Sequence, residues 1–414
     1  MPYLILDPVD EYAGEMMGFL ARRLDLGAVA VFSTPKKWMM WEHRWARELD
    51  RYVVDTYLAT REPSVAALAA RIHRDWRDLA GLIAWDEITI LLGAELGERL
   101  GIDWNPLAVI ERCRDKHVMK DWLRRHATVR INAGALVRDG EQALAFQAEL
   151  GRWPIVVKPT EGVGSSHVYF AHDAGELLAG CQRVMRSGSG EVLLEEYVGG
   201  PEYAVDGIAD ADGNLLITDV WVYDRRTSHG LPNIYFQAIK VGTSEAVFPV
   251  LGRYAAAIVE ALELRRAPIH MEVKIDDRGP CLIEVGARLG GGNLPVMASK
   301  LHGRSLFELA ACHYLGRLPA QVADLDYGRY DRLEARILTG VQTRDLPRIR
   351  AVHGLDEVKA LPSFDGIGMI RHVGMPAPVT RDLDTRAWEV YLIHSDARQI
   401  ARDATLTHRL LRYE

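Results

Sequence analysis

The sequence predicts an α/β protein that begins with a parallel sheet and continues into a strand-rich region with fewer helices. Three features lead to this prediction. The first hundred residues alternate short apolar runs with amphipathic stretches, the chain becomes rich in strand patterns from Arg152 onward, and residues 269–285 read as a hairpin with acidic residues on both strands. A chain of 414 residues is long for one compact domain, so two or three domains are expected.

The N-terminal region has a βαβα rhythm, which is typical of a parallel sheet with helices on both faces. The predicted strands are Tyr3–Leu6, Ala28–Phe32, Tyr52–Leu58 and Leu82–Trp85. Amphipathic stretches such as Glu15–Leu24 and Val65–Trp76 lie between them and predict helices. No GxGxxG motif follows the first strand, so the sequence does not support a dinucleotide site.

After a predicted linker at Gly101–Pro106, the pattern Arg114–His126 predicts an amphipathic helix. The strands predicted beyond it are Ile155–Lys158, Val168–Phe170, Val192–Val198, Glu202–Ala209 and Leu215–Tyr223. The spacing of Asp173 and Glu176 predicts a capping box that opens a helix between these strands. A second helix, Phe248–Leu264, leads into the hairpin, and the chain beyond about residue 320 reads as a short mixed strand and helix tail without obvious chemistry.

Composition restricts the class of function. The net charge is −7 and no basic run stands out, which argues against a nucleic-acid-binding surface. The four cysteines are far apart and form no CxxC pair, so they predict buried thiols in a reducing compartment, with neither a disulfide framework nor a zinc site. The sequence shows no signal-peptide pattern and no apolar run long enough to span a bilayer, so we expect a cytoplasmic protein without membrane contact.

The hairpin carries the strongest chemical signal. Ile269–Ile275 alternates apolar and polar residues as a half-buried strand does, and Cys281–Val285 follows after a turn. Folding the segment symmetrically about Arg278 sets Glu272 opposite Glu284. Cross-strand side chains have Cβ atoms roughly 4.5–5.5 Å apart, and like charges there repel. Either these are two unrelated solvated glutamates, or a divalent ion such as Mg²⁺ turns the repulsion into coordination.

A second motif follows the strand that ends at Lys158. Thr160–Ser166 (TEGVGSS) is a loop of glycines and hydroxyls, which can offer backbone N–H groups and serine side chains to phosphate oxygens. The lysine at its root supplies a fixed positive charge. The order differs from the Walker motif, in which the lysine follows the glycines. The other interpretation is a hairpin turn beside a surface lysine.

A third motif, VLLEEYVGGPE, covers Val192–Glu202. Backbone groups of Tyr197 and Val198 could pair with an adenine edge, and a carboxylate such as Glu202 suits ribose hydroxyls. Taken alone, the segment also reads as a hairpin with exposed glutamates.

In order along the chain, these motifs resemble the ATP-grasp superfamily. The residues that carry the resemblance are Lys116 in RDK, Lys158 in VKPTEGVGSS, EEYVGGPE (195–202), MEV (271–273) and LIEVGARLGG (282–291). Within the superfamily the chain is similar to the carboxylate–amine ligases that include L-amino-acid (dipeptide) ligases. The resemblance implies an N-terminal parallel α/β domain (1–105), a small lobe with the phosphate loop (106–200) and a large lobe with the metal site and a small C-terminal subdomain (201–414), with ATP between the lobes.

The resemblance also implies roles for individual residues. Lys116 and Lys158 would contact the ATP phosphates, and Ser165 and Ser166 would lie in the loop that closes over them. Arg288 would act catalytically by neutralising charge on the acyl phosphate or the tetrahedral intermediate. The remaining implied residues are Glu195, Tyr197 and Val198 for adenine, Glu202 for ribose, and Glu272 and Glu284 for Mg²⁺, with Mn²⁺ as an alternative ion.

The implied reaction joins a small-molecule carboxylate to an amine through an acyl phosphate and releases ADP and phosphate. The oligomeric state stays open, although a homodimer is common in the resembled branch. The sequence departs from the family at Gly286, where many members have a metal-binding asparagine, so the number of metal ions stays open. His229, Asp206 and His270 are candidates for the base that deprotonates the amine. A carboxylase or purine-pathway ligase, and a nucleotide-binding protein without activity, are the competing interpretations.

Overall fold

The computed structural model of the chain describes residues 1–160, 168–186, 190–317 and 324–414. Within these ranges the strands form four sheets, of which the three larger ones follow one another along the chain. The first lies within residues 1–105, the second within residues 106–200, and the third collects strands from residue 202 to residue 394.

The first sheet is parallel throughout, in the order β3-β2-β1-β4, as the βαβα rhythm predicts. Its elements are β1 (Tyr3–Leu6), α1 (Glu11–Leu24), β2 (Ala28–Phe32), α2 (Pro35–Met40), α3 (Ala46–Leu49), β3 (Val53–Leu58), α4 (Val65–Asp75), β4 (Leu82–Ile83) and α5 (Ile90–Leu100). Every residue of β1 and β2 is buried. Burial on both faces explains why these strands read as continuous apolar runs.

The second sheet is antiparallel, in the order β5-β8-β6-β7, and forms the small lobe. Its elements are α6 (Leu107–Arg114), α7 (Lys116–His126), β5 (Gly134–Val137), α8 (Gly140–Leu150), β6 (Ile155–Lys158), β7 (Tyr169–Ala171), α9 (Ala174–Val184) and β8 (Val192–Glu196). Asp173 caps the predicted helix start, because its carboxylate accepts the Glu176 N–H at 2.8 Å. The Glu176 carboxylate reaches one residue further back than in a standard capping box and accepts the His172 N–H at 2.8 Å.

The third sheet has eight strands, all antiparallel to their neighbours, in the order β13-β12-β9-β10-β11-β14-β17-β16. The elements up to residue 314 are β9 (Glu202–Ala209), β10 (Leu215–Ser228), β11 (Leu231–Lys240), α10 (Val247–Leu262), β12 (Ala267–Asp276), β13 (Gly279–Gly286), α11 (Leu294–His302) and α12 (Leu306–Tyr314). The later elements are α13 (Tyr327–Arg332), β14 (Glu334–Thr339), β15 (Val352–His353), α14 (Leu355–Lys359), β16 (Phe364–Ile370), β17 (Trp388–His394), α15 (Ala397–Leu410) and β18 (Arg412–Tyr413). The C-terminal strands β14, β17 and β16 therefore extend the large sheet.

The predicted strand Leu215–Tyr223 is too short, and β11 was not predicted. The structure extends β10 past Tyr223 to Ser228 and pairs it with β11 as a long hairpin. The charged run Asp224–Arg226 interrupts the apolar pattern, and that interruption hid the strand. Arg225 and Asp224 nevertheless bond to neighbours within this sheet, so the charged run is compatible with a strand.

The packing joins the N-terminal domain to the large lobe. Tyr12 of α1 stacks on Phe307 of α12 with ring centroids 4.4 Å apart, and the Tyr314 hydroxyl donates to the Ala84 carbonyl at 3.0 Å. The small lobe has a separate core of its own, which includes Ile155. None of the helices in the described ranges combines the length and hydropathy needed to span a bilayer.

Candidate active site

One cavity of about 1280 Å³ lies between the small lobe and the large sheet. The structure brings nine of the eleven predicted site residues to its wall. They are Lys116, Lys158, Glu195, Tyr197, Val198, Glu202, Glu272, Glu284 and Arg288. The two others, Ser165 and Ser166, lie outside the described residues.

The hairpin β12–β13 pairs Glu272 with Glu284, as predicted, although the turn differs from the prediction. Asp276 pairs with Gly279, so two residues, Asp277 and Arg278, form the turn. Continued without interruption, that register would place Ile283 opposite Glu272. A β-bulge between Glu272 and Val273 shifts the pairing by one residue and brings Glu284 opposite instead.

The bulge also decides which side chains face the cavity. Ile283 and Glu284 are consecutive, yet both line the cavity, while the flanking residues Leu282 and Val285 are buried in the core. In a regular strand consecutive side chains point to opposite faces. The extra residue therefore allows Glu284 to face the cavity while Leu282 and Val285 keep their core positions.

The two carboxylates differ in their electrostatics. Burial and the nearby charges of Glu284 and Glu202 raise the pKa of Glu272 to about 7. Burial acts on Glu284 as well, but the Lys116 ammonium group, whose Nζ lies 3.1 Å from Glu284 Oε2, lowers its pKa. The pair is thus a concentration of negative charge that Lys116, Lys158 and Arg225 only partly balance, because the pKa of Glu272 stays raised. Such an environment is one that a metal cation stabilises.

This donor set fits a magnesium ion that is shared with phosphate. Mg²⁺ is commonly held by one or two carboxylates and completes its shell with water and substrate phosphates. Within the described ranges, no group of three or more His, Cys, Asp or Glu side chains is arranged to hold a metal. A site made of Glu272 and Glu284 would therefore need ligands from the nucleotide and from water.

Gly286, the position at which the sequence departs from the resembled motif, leaves room for an ion pair between domains. A Cβ atom at this position would lie 3.3 Å from Arg288 Cγ and 3.4 Å from Glu87 Oε2. Glu87, in the loop after β4, pairs with both Arg288 and Arg114. A longer side chain at position 286 would have to enter the space that Glu87 and Arg288 occupy.

Glu87 thereby fixes the guanidinium group predicted to be catalytic. Arg288 binds Glu87 through Nε and donates from Nη1 to the Leu289 carbonyl at 2.9 Å. Sequence analysis did not identify Glu87, because it lies 201 residues from Arg288 in a loop that matches none of the motifs.

Lys158 belongs to a buried cluster of charges. Glu195 Oε2 lies 2.9 Å from the Lys158 ammonium group, and Glu195 Oε1 lies 2.8 Å from that of Lys120. Asn132 accepts a hydrogen bond from Lys120 at 2.9 Å. Lys120 is only 1% exposed, and burial lowers its pKa to about 8 despite the attraction of Glu195. The Glu195 carboxylate thus positions Lys158, a role not predicted from the sequence, while its predicted place at adenine stays a prediction.

This cluster predicts an acid-dependent loss of stability. Burial by itself would raise the pKa of Glu195, but the two lysines lower it from 4.5 to about 2. Because the pKa is depressed in the folded state, the stabilisation is present above pH 4.5 and is lost as the pH falls toward 2, by roughly 3 kcal/mol. In urea titrations, Glu195→Gln should show a shallower fall in the free energy of unfolding over this range. Equal slopes in Glu195→Gln and in the exposed control Glu141→Gln would contradict the assignment.

The predicted adenine segment connects the two sheets that enclose the cavity. β8 ends at Glu196, Tyr197 and Val198 follow, and β9 begins at Glu202. Gly200 adopts a left-handed φ of +78°, and a Cβ atom there would collide with the Ile275 carbonyl oxygen. A glycine is therefore required where this connection passes against β12.

The predicted ribose ligand, Glu202, is held by two cations on neighbouring strands. It pairs with Arg225 of β10, and its Oε2 lies 3.9 Å from the Lys274 ammonium group. Arg225 also contacts Tyr235, with its guanidinium carbon 4.0 Å from the ring centroid. Arg225 and Tyr235 line the cavity and were missed in the sequence because they lie on the hidden β10–β11 hairpin.

The three candidate bases differ in placement. His270 lines the cavity and its Nδ1 lies 2.6 Å from Asp206 Oδ1, on the adjacent strand. Burial would lower the pKa of His270, but the Asp206 carboxylate raises it above its ordinary value. His229 also lines the cavity, in the tight β10–β11 turn, with Nδ1 3.1 Å from the Ser228 hydroxyl. Of the three candidate bases, His270 and His229 line the cavity. Asp206 is the hydrogen-bond partner of His270.

The C-terminal region supplies a wall of the cavity, contrary to the expectation that the tail carries no obvious chemistry. We call the cavity-lining residues of this region the C-terminal wall. Its members are Ile337, Thr339, Thr343, Val379, Arg381, Asp382, Leu383, Asp384, Arg386 and Glu389. They reach the cavity because β14 and β17 join the large sheet beside β11, a pairing that local sequence patterns do not reveal.

Comparison with known proteins identifies the central part of the chain. Residues 151–295 match the family of the ATP-grasp domain. The chain is 29% identical to dapdiamide A synthase of Enterobacter agglomerans over 46% of each sequence, and 23% identical to the L-arginine-specific L-amino acid ligase of Bacillus subtilis over 55% of each. The chain thus spans about half the length of these curated relatives.

The fold agrees with this assignment over the whole chain. The crystal structure of an L-amino acid ligase from Bacillus licheniformis superposes with a TM-score of 0.74 at 17% sequence identity, covering 100% of this chain and 98% of that one. The resemblance stated from the motifs is therefore confirmed. Residues 151–295 thus match the ATP-grasp domain family, and the chain as a whole shares the fold of that L-amino acid ligase structure.

Proposed function

We propose that this protein is an ATP-dependent ligase that joins a carboxylate to an amine. The observation that carries the proposal is the cross-strand pair Glu272–Glu284, which faces a cavity that Lys116, Lys158 and Arg288 also line. Two carboxylates opposed to three cations suit a metal–triphosphate complex better than they suit a neutral ligand.

The proposed nucleotide site spans both lobes. Lys116 and Lys158 bind the phosphates, and this requires Lys116 to turn away from Glu284, its partner in the present structure. Tyr197 and Val198 offer their backbone to adenine beside Glu195, and Glu202 binds the ribose. Ser165 and Ser166 stay predicted phosphate contacts, and they lie outside the described residues. Glu272 and Glu284 would hold Mg²⁺ or Mn²⁺, which when bound neutralises phosphate charge.

The proposed reaction has two steps. The substrate carboxylate attacks the γ-phosphorus of ATP and gives an acyl phosphate and ADP. The amine then attacks the acyl carbon, forms the amide and expels phosphate. Positioning and charge stabilisation account for most catalysis of phosphoryl transfer, so lysines and Arg288 suffice without a nucleophilic side chain. Enclosure between the lobes keeps water from hydrolysing the acyl phosphate.

The substrates are inferred from the relatives. The two relatives compared above are a dapdiamide A synthase and an L-arginine-specific L-amino acid ligase. We infer small carboxylates and amines of the amino-acid kind for the present chain.

Product analysis tests the proposal. Purified protein with ATP, Mg²⁺ and a panel of amino acids should form ADP, phosphate and an amide in equal amounts. AMP and pyrophosphate would contradict the mechanism. ADP formation that depends on bicarbonate and needs no amine would indicate a carboxylase, and ATP binding without turnover across the panel would indicate a protein without activity.

Bulk in the loop after Arg288 should narrow the range of accepted substrates. Gly291 and Gly292 both line the cavity, and a Cβ atom on either would have no heavy atom within 4 Å among the described residues. We expect Gly292→Trp to reject larger substrates while the Kd for ATP changes little. Rates across the amino-acid panel, with ATP affinity by calorimetry, measure this.

The backbone conformation of Gly292 also disfavours a side chain at this position. Gly292 has a left-handed φ of +62°, so tryptophan there also strains the backbone, by about 1 kcal/mol. Gly291→Trp adds the same bulk without a left-handed φ. Gly151→Trp, at φ +68° and with no described heavy atom within 4 Å of a Cβ, reproduces the strain at a position that does not line the cavity. An unaltered substrate profile in both loop variants would show that neither glycine limits the pocket.

A further inference from the structure

The C-terminal wall contains a pair of opposite charges that the proposed reaction has not used. Arg386 and Glu389 both line the cavity, and Arg386 Nε lies 3.2 Å from Glu389 Oε2. The Glu389 side chain is only 2% exposed, whereas that of Arg386 is 20% exposed. Burying a carboxylate costs several kcal/mol unless partners compensate. Glu389 therefore depends on its partners at this position.

Neutral donors fix the second oxygen of Glu389. The Tyr391 hydroxyl donates to Glu389 Oε1 at 2.7 Å, and the Asn293 amide donates to the same oxygen at 3.2 Å. Asn293 ends the loop that contains Gly291 and Gly292, and its side chain also bonds to Tyr12 of α1. Three parts of the chain thus hold the carboxylate in one orientation at the cavity wall.

The neighbouring backbone leaves room for this carboxylate. A Cβ atom at Gly368, on β16, would collide with the Tyr391 hydroxyl and the Glu389 carboxylate. On the loop side, Gly291 and Gly292 have open space in front of them. The absence of a side chain at Gly368 therefore leaves space for the Glu389 carboxylate, and the absence of side chains at Gly291 and Gly292 leaves space in the loop that ends at Asn293.

The charges of the wall indicate the chemistry of its ligand. Its charged members are two arginines and three carboxylates, a net charge of −1, and they are Arg381, Arg386, Asp382, Asp384 and Glu389. A cation in this part of the cavity would balance the excess negative charge, and a fixed carboxylate is a strong acceptor for an ammonium group.

We propose that Glu389, oriented by Tyr391 and Asn293, binds the ammonium group of an amino acid whose carboxylate is activated at the Arg288 end of the cavity. This rests on the proposed ligase function and deepens it. The substrate class becomes amino acids, in preference to simple or hydroxylated carboxylic acids. Arg386, whose Nε lies 3.2 Å from Glu389 Oε2, partly balances the charge of that carboxylate.

The test isolates the first half-reaction. Hydroxylamine replaces the amine, so that any acyl phosphate is trapped as a hydroxamate, and kcat/KM is measured for the best amino acid and for its 2-hydroxy analogue. The native protein should prefer the amino acid. Glu389→Gln should lower kcat/KM for the amino acid by roughly 10- to 100-fold and leave that for the hydroxy acid nearly unchanged. Glu389→Asp, which keeps the charge, should retain part of the preference.

Each outcome decides a separate question. An equal loss for both substrates, with a lower melting temperature, would assign Glu389 to structure alone and overturn the inference. An unchanged preference in Glu389→Gln would overturn it as well. The exposed control Glu141→Gln should behave as the native protein does. If the native protein yields no hydroxamate from any carboxylate in the presence of Mg²⁺ and ATP, the proposed ligase function itself fails.

Discussion

Replacing Glu284 by alanine should reduce turnover by about a thousandfold. The carboxylate lies opposite Glu272 on the β12–β13 hairpin and faces the cavity through the bulge. Its removal would take away one of two proposed protein ligands for the metal, and a metal ion contributes several kcal/mol to stabilising charge during phosphoryl transfer. The like-charge contact with Glu272 disappears at the same time, so the free energy of unfolding should stay close to that of the native protein.

Steady-state ADP release measures this effect, and the affinity for Mn²⁺ in the presence of ADP provides a second readout. Both should fall in Glu284→Ala and in Glu284→Gln, which keeps the side-chain volume. Glu141→Gln, on an exposed position of α8, serves as the matched control. Turnover within a few-fold of the native rate would refute the assignment of the hairpin as a metal site.

The second large effect is expected from Lys158→Met. Lys158 ends β6, lines the cavity and is paired with buried Glu195. Methionine would remove a charge proposed to bind phosphate and would leave Glu195 with Lys120 as its nearest ammonium group. Breaking one partner of a buried ion pair typically costs about 3–5 kcal/mol. We therefore expect ATP affinity to fall at least about tenfold and stability to fall by a few kcal/mol.

Calorimetric titration with ATP and urea unfolding separate these two consequences. Lys158→Arg should restore most of the stability, because it keeps the charge beside Glu195, but less of the affinity. Lys36→Met, at an exposed position on α2, controls for the loss of a lysine. If Lys158→Met bound ATP as tightly as the native protein does, the proposed phosphate contact would be wrong.

Local sequence patterns predicted a large part of this molecule because its main signals are local. The buried parallel strands read as apolar runs, the capping box at Asp173 marked a helix start, and the alternation of Ile269–Ile275 marked a strand. The predicted pairing of Glu272 with Glu284 was confirmed. The turn assumed for that pairing was wrong, because the observed turn alone would place Ile283 opposite Glu272. The β-bulge shifts the register by one residue and brings Glu284 opposite Glu272. Packing on both faces of the strand determines such a one-residue shift, so the local sequence does not predict it.

The sequence by itself determined the fold class and the resemblance to the ATP-grasp superfamily, and it named nine residues that the structure brings to one cavity. Each of these residues lies in a short motif within one local segment of the chain, so a local sequence pattern can identify it. Only the tertiary structure decided what surrounds them. Glu87 pairs with Arg288 from the N-terminal sheet domain, and Lys120 adds a second ammonium group beside Glu195 of the Lys158–Glu195 pair. Glu389 lies on the C-terminal strand β17, which reaches the large sheet by pairing with β14. Such contacts depend on sheet order and domain packing, which no local pattern records.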